Sequence, residues 1–253
     1  MIYRNKNKKE DEADLEGLVY RYKNHIYFYD EVNPNTQLKL QLLIREACEE
    51  AISMSQENKQ SQPICLHINS GGGWATCGFA LYDFIKATSE SVDIIGIVEG
   101  EAASAASLIL LGCSTRLMSE NSFILIHQIS WGAWGNNRQM TDHSYNADKM
   151  MKKLINIYKD ETTIGSNEKT EEDREKVIKS ILEHDYQLDI EECIKYGLVE
   201  ADEPEVELTE DDTKRIEEFV EKVINERQKK AEKETKAAKQ VKKVEKQIKT
   251  TKK

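Results

Sequence analysis

Three short segments of this chain carry groups suited to acyl-transfer chemistry, and each follows a run of apolar residues. The first, Gly100-Glu-Ala-Ala-Ser104-Ala-Ala-Ser107, comes after Val92 to Val98 and reads as strand, turn and helix. A hydroxyl there sits at the mouth of a helix, where the first backbone N–H groups lack intrahelical partners and the local potential is positive. The second, Asn69-Ser-Gly-Gly-Gly73, can present backbone N–H groups with no Cβ in the way. The third, Ile124-Leu-Ile-His127-Gln128, ends an apolar run on a histidine, which is costly to bury unless hydrogen-bonded. A hydroxyl nucleophile, an imidazole base and a strip of amides are the parts needed to attack an acyl carbon and hold the oxyanion that forms. Ser104 is the leading nucleophile. Ser107, one helical turn on, competes with it but lies deeper in the apolar helix. A carboxylate must fix the imidazole, and the residues alone leave Asp142, Asp148, Asp160, Asp173 and Asp185 open.

Positioning these groups requires a frame, and the apolar spacing predicts one. His25-Ile-Tyr-Phe-Tyr29 reads as a strand, and Asn33 to Thr36 as a turn that starts a helix through Leu38, Leu42, Ala47 and Ile52. Gln56 to Gln62 is a polar loop, Ile64 to Ile68 a strand, and Ala75 to Thr88 a helix. Val92 to Val98 is a strand, followed by an Ala102 to Leu111 helix that is apolar nearly all round and therefore buried. Thr115 to Met118 and Phe123 to His127 are strands; His143 to Thr163, Thr170 to Glu183 and Asp189 to Lys195 are helices. Strand and helix alternating with short links predict an α/β fold with crossover connections and a charged helical extension at the C-terminus.

Four regions follow from composition. Residues 1–17 are a polar segment, 18–204 the globular domain, 205–228 an amphipathic helix and 229–253 a lysine-rich tail, expected to be disordered or a frayed helix. Pro204 marks the end of the domain. Ile216, Phe219, Val220, Val223 and Ile224 then make an apolar stripe that must pack on the domain or on a neighbouring subunit. The tail holds eleven Lys against three Glu, a local +8, which leaves −18 on residues 1–228 out of a total of −10. So acidic a body does not suit a nucleic-acid cradle. The 253 residues contain neither a transmembrane-length apolar run nor a secretory h-region, so a cytoplasmic protein with no membrane association is expected. The five cysteines form no CxxC pair and read as buried reduced thiols, with neither metal nor cofactor expected.

Five segments in order, Ile68-Asn-Ser-Gly-Gly-Gly73, Gly78-Phe-Ala-Leu-Tyr-Asp83, Gly100-Glu-Ala-Ala-Ser104, Leu125-Ile-His-Gln128 and Tyr196-Gly-Leu-Val199, give the chain a family likeness. From His25 to Asp202 it resembles the Clp protease proteolytic subunit (ClpP) family, serine peptidases of the ClpP/crotonase fold. The resemblance implies Ser104 as nucleophile, His127 as base and Asp185 as the acid that orients it. It implies the backbone N–H groups of Gly73 and Ala105 as oxyanion donors. It also implies a homo-oligomer of stacked, heptameric rings enclosing a chamber, an AAA+ unfoldase partner and an unfolded protein or peptide substrate. The segment Ser130-Trp-Gly-Ala-Trp-Gly135 and the helix after it correspond to the handle that interlocks two rings.

The departures are specific. Gly71 stands where the family has proline, Ala105 where methionine is usual, and His184 where an arginine precedes the acid. Extra residues centred on Ser166 to Glu175 lengthen the connection to Asp185. The N-terminal segment is unlike the family's axial loop, and the polybasic tail is unlike its short tail. Together they mark a divergent member and would suit a phage-encoded one, with a viral assembly protein as an alternative substrate. Two other readings share the fold: a crotonase-type acyl-CoA enzyme, which needs no serine–histidine pair, and a catalytically silent structural subunit.

Overall fold

Seven residues in a row, Ile64–Ser70, are buried except Asn69, the pattern of a strand covered on both faces. In the computed structural model, which describes residues 18–56, 62–130, 132 and 134–200, this strand (β3) lies inside a mixed sheet. Two short strands, β1 (Val19–Tyr22) and β2 (His25–Phe28), form an antiparallel hairpin at one side. β2 is parallel to β3, and β3 to β4 (Ile94–Ala103). Beyond Val98, β4 leaves β5 (Thr115–Met118) and pairs instead with β6 (Phe123–Leu125), again in parallel. A two-residue strand, β7 (Gln187–Leu188), closes that side antiparallel to β6.

The crossovers are helical, as parallel strands require. α1 (Pro34–Gln56) joins β2 to β3, α2 (Ala75–Ser89) joins β3 to β4, and α3 (Ala105–Leu111) joins β4 to β5. All seven residues of α3 are buried, so it runs through the core, against Leu81 and Ile85 of α2 among others. A smaller apolar cluster of Cys65, Ile97 and Leu117 covers another part of the sheet.

α4 (Asn137–Glu161) starts on a capping box between Asn136 and Gln139. Its first ten residues are exposed, and its second half enters the core through buried Leu154, Ile155 and Tyr158, with Met151 and Ile157 packed alongside. α5 (Glu171–Leu182) is capped by Thr170 and opens with Glu171, Glu172 and Asp173, the charge that suits a helix N-terminus. α6 (Ile190–Lys195) has a second capping box, Asp189 with Glu192.

Several boundaries differ from the sequence expectation, and β7 was not expected at all. β1 lies ahead of the first expected strand. β4 runs on through Gly100-Glu-Ala-Ala103, so α3 starts at Ala105, not Ala102. Gly and Ala are weak strand formers, but pairing with β6 on one side and Ser70 on the other holds them extended. β6 stops at Leu125 rather than His127. α4 starts six residues earlier than His143, at the Asn136 cap. All five cysteines are buried and free. The chain divides into two units, Met1–Glu203 and Pro204–Lys253. The expectations for 1–17, 205–228 and 229–253 lie outside the described residues.

Candidate active site

Strand register brings the candidate side chains together. β4 and β6 are parallel with Ala103 opposite Leu125, so Ser104 emerges beside the segment that carries His127. The Ser104 N–H donates to the Leu125 carbonyl at 2.8 Å. β6 and β7 are antiparallel with Ile124 opposite Leu188 and Leu125 opposite Gln187. Two residues further along that register His127 faces Asp185. Gln128 N–H, donating to Leu182 O at 2.7 Å, ties the chain beyond His127 to the end of α5.

The resulting row is short. Ser104 Oγ lies 2.8 Å from His127 Nε2, and His127 Nδ1 lies 3.2 Å from Asp185 Oδ1. A proton on Nδ1 would face the Asp185 carboxylate and leave the Nε2 lone pair toward the serine. The Asp185 side chain is 80% exposed and that of His127 20%. His184 points its ring at Tyr186, stacking at 4.8 Å between centroids, and does not take the place of a fixed cation.

Ser104 has φ 53° and ψ −121°, a backbone region a serine adopts only under constraint. It follows directly on β4 and precedes α3, so the turn is tight and the hydroxyl is lifted out of the packed helix. Ala105 is the first residue of α3, and its N–H has no carbonyl one turn back to bond. The glycine strip lies against the same turn. A Cβ on Gly72, at φ +90°, would come within 2.5 Å of Ala103 O and 2.7 Å of Ser104 Cβ. The strip is fastened to the loop after β2: Val32 N–H donates to Gly72 O and Trp74 N–H to Val32 O, both at 2.7 Å. Ser70 Oγ accepts from Gly72 N–H at 3.2 Å. Among the described residues no bond engages the N–H of Gly73, which leaves it and the Ala105 N–H available for an oxyanion.

The other candidates are placed elsewhere. Ser107 is fully buried; its Oγ donates to Ser104 O at 2.6 Å and meets Tyr158 OH at 2.7 Å. Asp142, Asp148 and Asp160 ride on exposed positions of α4. Asp173 is bonded to Thr170 and Lys176 at the start of α5.

A cavity of about 510 Å³ opens beside Ser104 and His127. Phe79 and Leu108 line it together with Met150, Leu154 and Tyr158. The last three fall at i, i+4 and i+8 on α4. That spacing was readable in the sequence as a helix face but carried no sign of facing the serine. Such a volume and lining suit an apolar side chain of a bound peptide.

The model of the Clp protease family matches residues 26–202. The ATP-dependent Clp protease proteolytic subunit 2 of Treponema denticola is 33% identical over 201 residues, covering 77% of this chain and 90% of the relative. A protein of the same name from Prochlorococcus marinus is 35% identical over 144 residues, 55% of this chain and 65% of its own. Among solved structures, a point mutant of ClpP1 from Listeria monocytogenes superposes with a TM-score of 0.55 at 20% identity. It covers 70% of this chain and 89% of that one, a likeness of fold.

Proposed function

The chain belongs to the Clp protease family of serine peptidases, and we propose that it is an endopeptidase working through Ser104, His127 and Asp185 inside an oligomeric chamber. The observation that carries this reading is the unbroken row from Ser104 Oγ through both nitrogens of His127 to Asp185. Ser104 Oγ attacks the peptide carbonyl while His127 Nε2 takes its proton. The tetrahedral oxyanion accepts hydrogen bonds from the Gly73 and Ala105 N–H groups, each donor worth about 10²–10³ in rate at comparable sites. His127 then hands the proton to the leaving amine, and an acyl-Ser104 ester remains. Water, deprotonated by the same imidazole, releases it. Asp185 keeps the Nδ1 proton in place and balances the imidazolium while it exists.

The chamber is proposed from family membership, as stacked heptameric rings. Trp134, 97% exposed just ahead of α4, is costly to leave in water and fits a contact between subunits. Among the described residues no helix is long and apolar enough to cross a membrane. We place the protein in the cytoplasm, acting on unfolded chains delivered by an AAA+ unfoldase. A viral assembly protein is the alternative substrate.

The test is labelling with a fluorescent serine-hydrolase phosphonate, on wild type and Ser104→Ala, followed by sizing with light scattering. Ser104-dependent labelling of a ring-sized particle is the expected result. A well-folded assembly that takes no label would sink the reading.

A further inference from the structure

We infer that Tyr158 and Ser107 are positioning residues for the nucleophile, a chain of two hydroxyls that holds the carbonyl side of the strained Ser104 peptide. The inference rests on the reading of Ser104 as nucleophile. A carbonyl oxygen can only accept, so the single proton of Ser107 is committed to Ser104 O, 2.6 Å away. Tyr158 OH, 2.7 Å from Ser107 Oγ, then has one way to bond: it donates to Ser107. Burial pushes the phenol pKa up, so the donor proton stays in place through the working pH range.

The order is Tyr158, Ser107, Ser104. Both hydroxyl residues are almost fully enclosed. A packing role alone would be met as well by phenylalanine and alanine, which carry no polar atom to satisfy. Ser104 N–H is held by Leu125 O on one side. On the other, Ser104 O takes both the N–H and the hydroxyl of Ser107. A left-handed serine persists only where its surroundings over-determine it. Without the hydroxyl chain the peptide gains room to relax, and Oγ drifts from the 2.8 Å line to His127. Tyr158 comes from α4, so that helix lines the cavity and also braces the attacking group.

The experiment compares wild type with Tyr158→Phe, Ser107→Ala and the double variant. The readouts are phosphonate labelling of Ser104, kcat and KM on a short fluorogenic peptide, and thermal melting. Each single variant should lose about 10-fold in labelling rate and kcat, the scale of one hydrogen bond's net worth. KM should stay within about twofold, because phenylalanine keeps the ring that lines the cavity and Ser107 is not part of that lining. The double variant should be no slower than Ser107→Ala, because the bonds act in series. 3-Fluorotyrosine at 158 keeps ring and donor and should restore wild-type rates, which also covers the case of a Phe variant that folds poorly. A rise in KM with kcat held, a lower Tm with unchanged kcat, or additive losses would each overturn the proposal. So would a fluorotyrosine protein no better than the Phe variant. Wild type that takes no label at Ser104 would overturn the underlying reading, and this proposal with it.

Discussion

Replacing Gly72 with alanine should damage the proposed nucleophile, Ser104, as well as the fold. Gly72 sits at φ +90°, where an L side chain costs about 1–3 kcal/mol. Its new Cβ would stand 2.5 Å from Ala103 O and 2.7 Å from Ser104 Cβ. Carbon contacts settle near about 3.5–4.0 Å, so roughly 1 Å of space must be found, and overpacking of that kind costs about 1–3 kcal/mol. Ala103 cannot yield easily, since it is paired with Leu125 in the sheet. The displacement therefore falls on Ser104 or on the strip that carries Gly73. A shift of that size costs about 100-fold in rate, by the usual penalty for misaligned reacting groups. Together the two costs come to about 2–6 kcal/mol, and a middle value of about 4 kcal/mol corresponds to a Tm lower by roughly 8–16 °C in a domain of this size. Gly71→Ala is the control: its Cβ would meet only Glu101 Oε1, at an ordinary 3.4 Å, and activity should stay within about twofold. Peptide hydrolysis and differential scanning fluorimetry on both variants decide it. A Gly72→Ala protein with wild-type kcat and Tm, or equal damage from Gly71→Ala, would refute the steric argument.

Asp185→Asn should lower kcat by about 100-fold, less than for an enclosed triad carboxylate, because the exposed pair is solvent-screened; a loss under about threefold in steady-state assays would remove Asp185 from its role. Burial tends to raise the Glu99 pKa, but hydrogen bonds from His67 and Tyr29 outweigh it and hold the group below the ordinary carboxylate value. That contribution to stability is present above the unfolded-state pKa and is lost as pH falls through the folded one. Glu99→Gln should therefore flatten the fall in Tm below about pH 5, as melts down to about pH 3 would show. Burial pushes the Cys113 and Cys193 thiols up to about 12, so iodoacetamide at about pH 8 should leave both unmodified until urea is added, read by mass spectrometry.

The alternation of strand and helix was legible because β3, α2 and β4 each keep a clear apolar period. Ser104 and His127 could be picked out as candidates because each follows an apolar run, and the structure brings the two side chains within 2.8 Å. Asp185 was not separable from four other aspartates by residue type, since its place is set by β6–β7 register, and a two-residue strand leaves no pattern to read. The extension of β4 through Gly100 to Ala103 was hidden for a related reason: small residues read as turn and helix, while pairing on both sides imposes the strand. Ser107 looked like a second nucleophile from its spacing. Only the third dimension shows its hydroxyl engaged between Ser104 O and Tyr158 OH.

Register also confers latitude. Asp185 is held opposite His127 by the β7 pairing, and Leu182 is tied to Gln128, so neither depends on the length of chain that leads into α5. The stretch from Ser166 to Thr170 is exposed and leads to a helix with its own cap. Natural variation in that span, or an affinity handle spliced into it, can accumulate without retuning the chemistry. The turn around Gly72 and Ser104 offers no such freedom, because any side chain at Gly72 runs into Ala103 O and Ser104 Cβ.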